Sequence, residues 1–139
     1  MTSRLEPTRL LIGVGVTALA STTVIHLLFI PQYLPGYFTR GLPFLTAGWV
    51  SYFVFFYALG RLRSPSGEMP DMRATDVGVA LFLFAIVLSG ILDTAGITLE
   101  SNPIVHVPSV IAIYLGLALA GWGFGARTEL VNRMAAEAE

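Results

Sequence analysis

The chain has 139 residues, 55% of them hydrophobic and only 12% charged, against roughly 25% charged in an ordinary soluble domain. That balance excludes a typical soluble fold, and the net charge of −1 gives no footprint for nucleic acid. With no cysteine, disulfides, thiolate metal sites and a cysteine nucleophile are excluded as well.

Taken in chain order, the apolar residues fall into four blocks. Leu10–Ile30, Gly41–Gly60 and Ser101–Ala126 carry no Asp, Glu, Lys or Arg, and Val77–Leu99 carries only Asp93. Each block is close to or above the roughly 20 residues that span the hydrocarbon core as a helix. Arg4 and Arg9 precede the first block, and Ala18-Leu-Ala20 resembles a signal cleavage site. The apolar run continues past it to Ile30, so an uncleaved first helix is expected over 9–30. Proline disfavours helical continuation, so that helix should stop at Pro31.

The next segment, PQYLPGYFTRG, reads as an interfacial aromatic belt, or as a lid or docking surface over the bundle. The second helix is expected over 42–60, with Pro43 in its first turn and Gly60 as its C-terminal cap. Residues 61–74 form the clearly hydrophilic loop. Thr75 or Asp76 is expected to cap a third helix over 76–97. The fourth is expected over 104–126, starting at Pro103 or nearer Pro108, with an amphipathic tail to Glu139.

All eight basic residues are arginines, a usage that fits a GC-rich coding sequence. With four crossings, Arg4, Arg9, Arg61, Arg63, Arg73, Arg127 and Arg133 fall on one side and Arg40 on the other. The positive-inside rule then places both termini in the cytoplasm. The expected fold is an all-α integral membrane protein, a four-helix up-down bundle.

Membrane helices pack through small residues, because lipid supplies no hydrophobic drive for their association. The candidates are Gly13, Thr17 and Ser21 on the first helix, Ala47 and Ser51 on the second, and Ala85 and Ser89 on the third. Ala112, Gly116 and Ala120 extend the set on the fourth, with Gly121 and Gly125 beside them. Asp93 continues the Ala85–Ser89 stripe at four-residue spacing, which points it into the bundle. An aspartate at the centre of a membrane helix costs about 2.5–3.5 kcal/mol, so a partner is expected.

His26, near the end of the first helix on the stripe Gly15, Ala18 or Leu19, and Thr22, is that expected partner. His106, at the start of the fourth, lies at a similar depth. Three functional readings follow: axial haem b ligation by His26 and His106, a divalent metal held by both histidines and Asp93, or proton relay or cation binding by Asp93 and His26. The plainer reading gives Asp93 a local bond to Ser89, Thr94 or a histidine, and makes His106 a cap. No hydrolase spacing, phosphate loop or centrally broken transporter helix is present.

In its size, its helix count and the HLLFIP that ends the first helix, the outline loosely resembles small four-helix membrane proteins of the DoxX-like kind. That likeness carries over no residue and no activity. The expected function is a non-enzymatic membrane or accessory subunit, with the lipid bilayer and either a membrane-protein partner or a second copy as its partners. The alternative is a small module binding a polar ligand, relaying protons, or holding haem or metal.

Overall fold

The computed structural model describes residues 2–64 and 72–139, with side chains from Pro7 onward. Among these, all regular secondary structure is helical. Helix α1 (Thr2–Val24) runs through a π turn (Ile25–Phe29) into a short α2 (Ile30–Tyr33). Then come α3 (Phe38–Leu62), α4 (Arg73–Thr94), a 3₁₀ turn (Pro103–His106) and α5 (Val107–Ala138). Four rods are long and apolar enough to cross a membrane: Pro7–Tyr33, Phe38–Leu62, Arg73–Thr94 and Pro103–Ala138.

Several boundaries differ from the expected ones, each for a local reason. The first rod does not stop at Pro31. The π turn shifts the bonding register, with Ile30 N–H bonding Ile25 O, and Pro31 falls in the first turn of α2, where a missing donor is tolerated. Pro43 lies inside α3 instead of opening it. Gly60 is not a cap. It is buried within α3, and a β-carbon there would strike the carbonyl of Trp122.

Thr75 and Asp76 lie inside α4, whose N-cap is Met72. That helix ends at Thr94, earlier than the expected 97. Gly96 adopts φ 82°, Gly96 N–H bonds Asp93 O and Ile97 N–H bonds Leu92 O. This is a Schellman closure, and its left-handed position favours glycine. The tail is helical as expected, as a direct continuation of α5 to Ala138. The residues 65–71 of the hydrophilic loop and the side chain of Arg4 lie outside the described residues.

Small residues set the packing. On α1 the close face is Gly15, Ala18 and Thr22, all buried. A β-carbon on Gly15 would lie 3.5 Å from that of Ala58 on α3. The expected Gly13–Thr17 stripe is exposed instead, and a β-carbon on Gly13 would meet nothing within 4 Å. Between α4 and α5 the backbones touch: a β-carbon on Gly116 would sit 2.6 Å from Gly78 O, and one on Gly123 would strike Thr75. Ala120 is buried here, while Ala112 and Ser89 are half-buried.

Helices α3 and α5 are equally close. A β-carbon on Gly121 would lie 2.7 Å from Phe53 O, and one on Gly125 would strike Tyr57 O. Further along, Arg61 pairs with Glu129 at 3.1 Å. Residue numbers rise together along this seam, so α3 and α5 run parallel. The spatial order is therefore α1, α3, α5, α4. Helix α5 lies between α3 and α4, so these two chain neighbours are not an extensively packed pair. This departs from a bundle in which consecutive helices pack throughout.

Candidate site: an imidazole and a phenol joining three helices

His26 stands in the π turn that closes the first rod. Its Nδ1 lies 2.7 Å from the Thr22 carbonyl. A carbonyl only accepts, so Nδ1 carries the proton and Nε2 is left to accept in the neutral ring. Nε2 is 2.5 Å from the Tyr114 hydroxyl of α5, which therefore donates to it. The two rings meet edge-on, with centroids 5.3 Å apart. The Thr22 hydroxyl reaches across to donate to Gly48 O of α3 at 3.4 Å.

Gly48 makes room for the imidazole. A β-carbon there would be 2.8 Å from His26 Cε1 and 3.1 Å from Ile25 Cγ2. Aromatic rings lie near the phenol. Tyr52 meets Tyr114 at 5.1 Å, nearly perpendicular, and Trp49 meets Phe82 of α4 at 5.7 Å. The indole N–H of Trp49 is buried without a hydrogen-bond partner among the described residues. The polarity runs one way: Tyr114 donates to His26, and His26 donates to Thr22.

The other two candidates lie elsewhere. His106 is buried at the foot of α5, and its Nε2 donates to Ile97 O at 2.9 Å. It ties the 3₁₀ turn to the segment that leaves α4. Asp93 does not point into the bundle and does not meet His26. It is exposed in the last turn of α4, because the Gly96 closure ends that helix early and leaves the carboxylate at its rim. Neither Ser89 nor Thr94 takes it up; the Thr94 hydroxyl donates to Ile91 O instead.

These placements bear on each functional reading. Both Nε2 atoms are committed to intramolecular bonds, so the histidines do not stand as a free axial pair for haem. Among the described residues, no three His, Cys, Asp or Glu side chains are grouped as a metal would need. Asp93 and His26 form no relay. Tyr114, Trp49 and Tyr52 were not singled out from sequence. A tyrosine hydroxyl in the middle of an uncharged block needs a partner, and that was the available signal.

Compared with known proteins, the chain matches no family model, no curated protein and no solved structure. Its four apolar helices are compatible with a small multi-pass membrane protein.

Proposed function

We propose that the chain is an integral membrane protein with four crossings and cytoplasmic termini. It serves as a non-enzymatic accessory subunit that contacts the bilayer and a membrane-protein partner. The observation that carries this reading is the use of the interior polar groups. His26, Tyr114 and Thr22 are spent on one another and on backbone, and His106 on Ile97. They join helices, with the Tyr114 hydroxyl spent on His26 and the imidazole spent on the Thr22 carbonyl.

The arginine distribution supports the orientation. So does the Arg61–Glu129–Arg133 cluster, which gathers charge where α3 ends and α5 leaves the span. Reporter fusions at Glu139 and in the Gly36 loop test the topology: a cytoplasmic C-terminus and an external loop are expected, and the reverse overturns it. An absorption spectrum of the purified protein tests the role. It should show protein absorption alone, and a Soret band would replace the accessory reading with a haem module.

A further inference from the structure

A groove of about 1230 Å³ runs along the outside of the α1–α3 pair. Gly13, Thr17 and Ser21 of α1 form one wall, and Ala47 and Val50 of α3 stand on the other. The protein leaves this space open: a β-carbon on Gly13 would meet nothing. Arg9 lines one end, is exposed and has no ion pair or hydrogen bond with any described residue.

We propose that this groove seats an acyl chain of an anionic phospholipid from the cytoplasmic leaflet, with the phosphate at Arg9. The inference rests on the membrane orientation proposed above. Two arguments select the occupant. From Arg9 to Ser21 the helix rises about 18 Å, close to the roughly 15 Å of one leaflet's hydrocarbon. The charge also fits. A second copy related by a two-fold axis along the membrane normal would bring Arg9 to the depth of its own counterpart, like charge beside like charge. An anionic headgroup turns the same guanidinium into an attraction and accepts hydrogen bonds from it. A zwitterionic lipid such as phosphatidylcholine also brings a phosphate, but its ammonium cancels that charge and weakens the attraction to Arg9.

The test uses the full chain in a neutral detergent, titrated with phosphatidylglycerol or phosphatidylcholine and read by native mass spectrometry. One phosphatidylglycerol should bind about fivefold more tightly than phosphatidylcholine, the preference expected for one basic residue near a membrane surface. Arg9→Gln should abolish that preference, whereas Arg63→Gln, outside the groove, should keep it. Thr17→Leu, which narrows the groove without touching Arg9, should weaken both lipids. Glycerol phosphate alone should not bind measurably, which separates a lipid site from a free-phosphate site. Equal affinity for the two lipids, a silent Arg9→Gln, or a dimer that Thr17→Leu dissociates would each overturn the proposal. Fusion reporters separate the two failures: an external C-terminus sinks the orientation, while a cytoplasmic one with no lipid preference sinks this site alone.

Discussion

The Tyr114 hydroxyl is the side-chain group that ties the first rod to α5, and its loss isolates a single bond. Tyr114→Phe keeps the ring against Tyr52 and leaves His26 Nε2 without its donor. Side-chain hydrogen bonds between membrane helices average about 0.6 kcal/mol and reach about 1.7. A loss near the upper end is expected here, because the released nitrogen is partly buried. In a double-mutant cycle, Tyr114→Phe with His26→Leu should cost less than the two single changes summed. Unfolding in detergent measures it, and strict additivity would show that the pair contributes nothing. Asp93→Asn, at an exposed rim, should stay within about 0.5 kcal/mol of the parent. Sequence reading located His26 and its small-residue stripe but assigned it the wrong partner. The four-residue spacing set Asp93 on the Ala85–Ser89 stripe, but Asp93 falls in the last turn of α4 and is exposed at its rim. Which residue of α5 would stand opposite His26 depended on the helix order, which periodicity does not contain.

Among the elements, the seams are made by backbone approach more than by interlocking side chains. Gly116→Ala places a β-carbon where Gly78 O lies at 2.6 Å and Phe82 N at 2.8 Å. Neither neighbour is a flexible side chain, so α4 must move. Gly13→Ala meets open space and gains up to about 1 kcal/mol of helix propensity. The expected outcome is a lower melting temperature in detergent for Gly116→Ala and an unchanged or higher one for Gly13→Ala. Equal losses would mean that the two glycines face alike surroundings. Four apolar blocks, and hence four rods, were legible because charge-free length is a direct physical requirement of a span. The ends were less so. Pro31 and Gly60 are ordinary stop signals, yet a π turn absorbs one and a facing carbonyl explains the other. Small residues were visible on both faces of α1, and composition alone does not say which face meets a helix and which meets lipid.

For the whole molecule, the order α1, α3, α5, α4 is the property that a four-block hydropathy pattern leaves open. It is directly testable because the chain has no native cysteine to interfere. Gly15→Cys with Ala58→Cys should oxidise readily, since the β-carbons would lie about 3.5 Å apart, near the usual disulfide value of about 3.8 Å. Gly15→Cys with Val79→Cys should not, because α1 makes no extensive contact with α4. Efficient cross-linking of the second pair, read as a mobility shift on a gel, would replace the open row with a closed ring.

The parallel seam between α3 and α5 also sets a schedule. As the chain leaves the ribosome, α1 and α3 form their pair from consecutive rods. Helix α4 emerges third and has neither of them as a main neighbour. Its contact surface, with Gly78 and the Thr75 hydroxyl, stays bare until the glycines of α5 arrive. From Thr94 to Ala126 is about 32 residues, or roughly 2–6 s at ordinary synthesis rates. During that interval the newborn α4 lacks the helix it packs against most extensively, and its contact surface waits on α5.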